Sequence, residues 1–275
     1  KRLDKLTSGL QKGNLIIIGA RPSVGKTSFG LNIATHIATV SNHPALIFSL
    51  EMSRLELTQR ILCAEARVDS QKIVNAQMND DDWVRINKGL GHLDEAPIYI
   101  DDNPGVSIME IRAKARRLKS RIGNLGIIVV DYLQLMTGRS TAESRQVEIS
   151  EISRGLKLLA RDLETPVIGI SQLSRNLESR QDKRPLLSDL RESGSIEQDA
   201  DLVMFIYRDE IYNTESDQMG IAEINIAKNR NGPVDRVRLA YMPNFTKFAE
   251  LSRARDDESD SAMQKTGSIN EPRNF

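Results

Sequence analysis

Short apolar runs recur along the chain, and each breaks off at a glycine, an acid or an amide. Leu15-Ile16-Ile17-Ile18-Gly19, Ala45-Leu46-Ile47-Phe48-Ser49-Leu50, Pro97-Ile98-Tyr99-Ile100, Gly126-Ile127-Ile128-Val129-Val130-Asp131 and Pro166-Val167-Ile168-Gly169-Ile170-Ser171 are continuous rather than alternating, as strands covered on both faces must be. Helical spacing fills the intervals. Phe29, Ile33, Ile37 and Val40 fall on one face, as do Trp83, Ile86 and Leu90. The same spacing recurs in Ile111, Ala115, Leu118 and Ile122, and in Ile149, Ile152, Leu156, Leu159 and Leu163. Ser53-x-x-Glu56 and Ser107-x-x-Glu110 are capping boxes, and Asn79 ahead of three aspartates is a third helix start. Strand alternating with helix predicts an α/β fold, a mostly parallel twisted sheet flanked by helices. Strands at 202–207, 221–227, 235–241 and 246–251 follow, the last of them joined by short turns, and predict an antiparallel edge extension.

The remaining stretches are polar. Residues 1–14 read as a lead-in with a turn at Lys12-Gly13-Asn14, 138–144 as a loop, and 173–194 as a long segment rich in Arg, Asp and Ser. Residues 252–275 are poor in apolar side chains and are expected to form a disordered tail after one domain, 1–251. A chain that opens on Lys1 rather than Met is expected to be a fragment or processed form. Thirty-eight basic and 38 acidic residues cancel, which argues against a surface that coats polyanions generally but leaves local basic loops open. No apolar run approaches the roughly 20 residues of a membrane helix. The single cysteine, Cys63, sits in an apolar helical pattern and reads as a core residue of a cytoplasmic protein.

Chemistry gathers where the apolar runs end. After strand 15–19 comes Ala20-Arg21-Pro22-Ser23-Val24-Gly25-Lys26-Thr27-Ser28, then a helix: the context a phosphate-binding loop requires. Backbone N–H groups around Ser23 to Lys26 would wrap a β-phosphate at a helix N-terminus. Lys26 would reach the β- and γ-phosphates, and the Thr27 hydroxyl would hold Mg²⁺. Ala20 stands where the strict pattern has its first glycine, with Gly19 one residue early. Asp131, closing a β-branched run, would bring a carboxylate to the Mg²⁺ shell. Tyr132 follows it, so a base for the attacking water must come from another strand end, and Glu51 is the candidate. Gln172 ends a further strand, where its amide could bond a γ-phosphate. Lys228-Asn229-Arg230-Asn231-Gly232-Pro233 reads as a hairpin-type turn with two cations at its tip. Arg112, Lys114, Arg116, Arg117, Lys119 and Arg121 make one helix basic, either a solvated face or a contact for nucleic acid or another subunit.

These motifs in this order resemble the C-terminal, RecA-like P-loop NTPase domain of the DnaB-type replicative DNA helicases of bacteria and their phages. Ser-Leu-Glu-Met, Val-Val-Asp-Tyr-Leu-Gln-Leu, Ile-Ser-Gln-Leu-Ser-Arg, Asp-Leu-Arg-Glu-Ser-Gly-Ser-Ile-Glu-Gln-Asp-Ala-Asp and Ala-Lys-Asn-Arg-Asn-Gly-Pro carry the likeness alongside the phosphate loop, from about residue 2 to 251. That family also has Ala at the position of Ala20. The resemblance implies a ring-shaped homohexamer with ATP and Mg²⁺ between subunits and single-stranded DNA in the central channel. It also implies primase and a helicase loader as partners at the replication fork, and an N-terminal domain and linker helix missing here. Carried over by position, Glu51 polarises water, Gln172 senses the γ-phosphate, and Arg60 lies near the nucleotide. Lys228 and Arg230 act on the neighbour's site, and Arg191, Glu192 and Gly194 line the loop that grips DNA. A RecA-type filament and a nucleotide-switched loader or scaffold share the same core and stay open at this stage. A small-molecule kinase would gain nothing from the Lys228/Arg230 turn.

Overall fold

The computed structural model describes residues 2–136, 144–190 and 194–251. In chain order they form α1 (Arg2–Thr7), β1 (Leu15–Ala20), α2 (Lys26–Val40), β2 (Ala45–Ser49), α3 (Arg54–Ala66), α4 (Ser70–Val74) and α5 (Asp80–Asp94). Next come β3 (Ile98–Asp101), α6 (Ile108–Ile122), β4 (Ile127–Asp131), α7 (Arg145–Asp162) and β5 (Val167–Gln172). The remainder is α8 (Gly194–Asp199), β6 (Leu202–Tyr207), β7 (Ile221–Asn229), β8 (Arg236–Met242) and β9 (Lys247–Glu250). All nine strands join one sheet in the order β3-β2-β4-β5-β1-β6-β7-β8-β9. Pairing is parallel from β3 through β6 and antiparallel from β6 to β9, the arrangement the sequence predicts.

The continuous apolar runs are explained by cover on both faces. In β1, Leu15 and Ile17 belong to one core layer with Phe48, Ile111, Leu156 and Phe205, the side packed by α6 and α7. Ile16 and Ile18 point the other way, into a layer with Phe29, Ala34, Ile47, Leu57 and Met204 under α2 and α3. Each of these side chains larger than alanine contributes about 1.5–3 kcal/mol by leaving water. The capping boxes at Ser53 and Ser107 form as expected, and Asn79 makes a third with Asp82.

Several expectations need correction. Residues 2–7 are a short helix rather than lead-in coil. On α2, Leu31, Ala34, Thr35 and Ala38 are buried beside Phe29, Ile33 and Ile37 are only half-buried, and Val40 is exposed. On α5, Trp83 and Leu90 face solvent and only Ile86 of the expected trio is buried. Its inward face is Asp82, Ile86 and Gly89 instead, because a Cβ at Gly89 would lie 3.0 Å from the Ala66 Cβ and a larger residue would hold the helices apart. Asp82 tolerates burial by accepting from the Asn79 and Lys72 nitrogens and Arg85. Lys228 lies within β7, and only Arg230 stands beyond the strand. The stretch from 173 is ordered by two 3-10 turns, Arg175–Ser179 and Leu187–Asp189. On α6, Arg112 and Arg116 bond Asp162, Lys114 bonds Asp101 and Lys119 bonds the Leu163 carbonyl, which leaves Arg117 and Arg121 as its plainly solvated cations. The loop proposed at 138–144, except Ser144, and the tail at 252–275 lie outside the described residues, as do Arg191 and Glu192.

Candidate functional site

Because β1, β2, β4 and β5 run parallel, their carboxyl ends share one edge. Register places Ser49 opposite Asp131 and Ala20 opposite Gln172. The Leu50 N–H donates to the Asp131 carbonyl at 2.7 Å, which fixes the segment bearing Glu51 beside the end of β4. Glu51, Asp131, Gln172 and the loop after β1 thus come together as the sequence predicts.

The loop itself is tightly braced. Ser23 and Gly25 both have positive φ, 65° and 111°, so successive N–H groups turn toward one concavity ahead of α2. Gly25 is required there, since a Cβ would also fall 3.1 Å from the Phe248 ring. Val24 is buried as an apolar anchor. Arg21 turns away from the concavity: its guanidinium donates to the Leu173 carbonyl at 2.9 Å and to Glu178 at 2.8 Å. Behind the loop, Arg208 donates to the Ser23 and Val24 carbonyls at 3.4 and 3.5 Å, pairs with Glu210 and lies 4.2 Å above the Tyr241 ring. Arg208 escaped the sequence reading, although a charge closing the buried run 202–207 is the same signal that marks Glu51 and Asp131.

Lys26, Thr27 and Ser28 open α2 and are all buried. The Thr27 hydroxyl donates to Asp131 Oδ2 at 2.6 Å. Lys26 Nζ lies 3.5 Å from Glu51, 3.9 Å from Asp131 Oδ1 and 4.6 Å from the Tyr132 ring centroid. Burial pushes the Asp131 carboxyl above its usual range, while Lys26, Thr27 and, from α3, Arg60 pull it down. Asp131 Oδ1 is buried and has no hydrogen-bond partner. An orphaned carboxylate oxygen next to a threonine hydroxyl is a donor set suited to a hard divalent cation such as Mg²⁺. Glu51 keeps half its side chain exposed, open to a water molecule.

Lys228 and Arg230 lie at the opposite edge. Arg230 donates its backbone N–H to the Asp201 carbonyl at 2.8 Å and its guanidinium to Asp201 Oδ1 at 3.1 Å. Asp201 Oδ2 accepts from the Leu15 N–H at 2.8 Å, at the start of β1, and from Lys157. Lys228 donates to the Glu197 carbonyl at 2.5 Å, and burial followed by the nearby Arg230 charge draws its ammonium below the usual lysine range. β1 has six residues, so at ~3.3 Å per residue its two ends stand ~17 Å apart. Arg230 therefore cannot serve the phosphate loop of its own chain. Gly194 starts α8 and is exposed. Asp201, Lys157 and Gln134, which bonds the end of β5, were not singled out from sequence because their partners are remote along the chain.

A strand, phosphate loop and helix, with an acid-ended strand one place removed across β5, define a RecA-like P-loop nucleotide-binding domain. Residues 1–250 match the DnaB-like helicase C-terminal domain, and the chain belongs to that family. It is 55% identical over 256 residues to the replicative DNA helicase DnaB of Geobacillus stearothermophilus, a match covering 93% of this chain and 56% of that protein. Against the replicative DNA helicase DnaC of Bacillus subtilis the identity is 52% with the same coverage. The chain spans about half the length of these curated relatives. Among solved structures, one ATPase domain superposes with a TM-score of 0.88 at 41% identity, covering 91% of this chain and 89% of that one. A DnaB-like replicative helicase, solved in a study of its interactions with primase, gives the same score and identity over 60% of its length.

Proposed function

We propose that this chain is the motor part of a replicative DNA helicase. Neighbouring subunits of a ring-shaped homohexamer hydrolyse ATP between them, and the ring moves along single-stranded DNA and opens the duplex. The observation that carries this reading is the division of the catalytic groups. Lys26, Thr27, Asp131 and Glu51 occupy one edge of the sheet, and Arg230 sits a strand length away at the other. Two copies are needed to complete one site.

At that site the loop N–H groups and Lys26 hold the β- and γ-phosphates, and Thr27 and Asp131 hold Mg²⁺. The bound cation supplies charge neutralisation on the phosphate oxygens. Glu51 accepts a proton from the attacking water, and the Gln172 amide reads the γ-phosphate. From the neighbour, Lys228 and Arg230 meet the charge that builds on the leaving phosphates, worth about 10³–10⁵ in rate for an arginine finger. Arg60, with its field already felt at Asp131, adds positive potential near the nucleotide. Arg191, Glu192 and Gly194 contact the DNA backbone, which suits translocation independent of sequence. Primase and a loader would be met at the fork, in the cytoplasm. Sizing and ATP turnover, each with and without single-stranded DNA, test the proposal. It expects a nucleotide-dependent ring and DNA-stimulated hydrolysis. A species that stays monomeric with ATP and DNA, or turnover indifferent to DNA, would overturn it.

A further inference from the structure

Gln134 belongs to no role assigned above, yet its carboxamide is fully used. Pairing of β4 with β5 stops at Val130 and Gly169, whereas β1 follows β5 to its last residue, Gln172. Ser171 and Gln172 therefore lack a strand on the β4 side. Gln134, in the 3-10 turn Leu133–Leu135, fills that gap with its side chain. Its Oε1 accepts the Gln172 N–H at 3.1 Å. Its Nε2 donates to the Gln172 carbonyl at 3.1 Å and to the Ser171 hydroxyl at 2.8 Å. One side-chain amide thus pairs both backbone groups of Gln172, as a further strand residue would.

The support behind Gln134 is also built. Leu133 is wholly buried, and Arg145 at the start of α7 donates to the Gln134 and Met136 carbonyls. Farther along α7, Ser150 bonds Ser195 at 2.8 Å and Ser153 bonds Asp199 at 2.9 Å, both on α8. Lys228 in turn bonds the Glu197 carbonyl of α8. Contacts therefore run without a break from the tip of β5 to the edge that holds Lys228 and Arg230.

Resting on the ATP-hydrolysing reading above, we infer that Gln134 is a positioning residue: it sets the backbone of Gln172 so that the Gln172 amide meets the γ-phosphate. Its amide is engaged by Ser171 and Gln172, so its effect passes through them. Displacing a group by about 1 Å costs on the order of 10²-fold in rate. Gln134→Met keeps the side-chain length and removes every hydrogen bond. With the full chain, ATP and single-stranded DNA, kcat should fall ~10–100-fold while KM for ATP stays near wild type. Because Gln134 acts through Gln172, Gln134→Met combined with Gln172→Ala should be no slower than Gln172→Ala alone. Fully additive losses, or an unchanged kcat, would overturn the inference. Should Gln134→Met not fold, Ser171→Ala removes one of the two Nε2 acceptors, and a smaller loss that vanishes in the Gln172→Ala background is expected. Additivity there would overturn it equally.

A second readout is independent of catalysis. Amide exchange at Gln172 should speed up in Gln134→Met or Ser171→Ala without nucleotide, and exchange at the wild-type rate would sink the proposal even if turnover changed. Wild-type protein lacking DNA-stimulated turnover, with exchange still faster in the variants, would count against the helicase reading and leave the positioning contact standing.

Discussion

Asp201 ties the starts of β1 and β6 to α7 and to Arg230, and its removal separates structural from catalytic charge. The Asp201 side chain is 4% exposed, and that of Lys157, its partner, 13%. Asp201→Asn, with its amide oxygen in place of Oδ2, keeps an acceptor for the Leu15 N–H and for Lys157. It removes the negative charge that compensates the Lys157 ammonium, whose other acceptor is the neutral Gly13 carbonyl at 2.9 Å. Breaking a buried pair from one side costs about 3–5 kcal/mol, because an uncompensated charge remains. Lys157→Met in the same background should restore most of that loss. Arg230 meets the same carboxylate with a side chain 54% exposed, so Arg230→Ala should cost only about 0–1 kcal/mol. Urea unfolding with a common m-value measures all four proteins. The reasoning fails if Asp201→Asn unfolds within ~0.5 kcal/mol of wild type, inside the range of ordinary surface substitutions. It fails equally if Arg230→Ala is as costly as Asp201→Asn, for then Arg230 is a structural residue rather than one held ready for a neighbour.

Glu51→Gln should lower ATP turnover about 10²–10⁴-fold, the usual share of a general base, while affinity for a non-hydrolysable ATP analogue holds; wild-type turnover would remove Glu51 from the chemistry. Gly25→Ala should cost about 1–2 kcal/mol through its positive φ and should weaken binding of the same analogue, as titration of the folded variant would show. Burial pushes the Cys63 thiol up to about 11, so near pH 8 it holds on the order of 10²-fold less thiolate than an ordinary cysteine. Maleimide labelling should be slow in the native chain and fast in urea, and rapid native labelling would contradict the buried assignment.

The edge that holds Lys26, Asp131 and Glu51 was legible because a charge or amide ending a continuous apolar run has few other reasons to be there. Parallel topology then brought those ends together, as alternation of strand and helix required. Capping boxes were equally plain, being interactions between residues three apart. What the pattern missed depends on contacts far along the chain. Spacing put Trp83 and Leu90 on the inner face of α5, but the close approach to Ala66 selected Gly89, and three partners made burial of Asp82 tolerable. Gln134 reads as one more polar residue until β5, nearly 40 positions on, is placed beside it. Asp201 bonds the Leu15 N–H across 186 positions, and without that contact the distance between Arg230 and its own phosphate loop could not be known.

The most direct measurement mixes two inactive proteins. Lys26→Ala lacks the phosphate loop lysine but keeps Arg230, and Arg230→Ala keeps the loop but lacks the arginine. Each alone should hydrolyse ATP at or near background with single-stranded DNA present. Combined and reassembled, an Arg230→Ala loop beside a Lys26→Ala neighbour makes a complete site, so turnover should return in proportion to the number of such mixed contacts. No recovery in verified mixed assemblies, or full hydrolysis by Arg230→Ala alone, would contradict a site shared between two subunits.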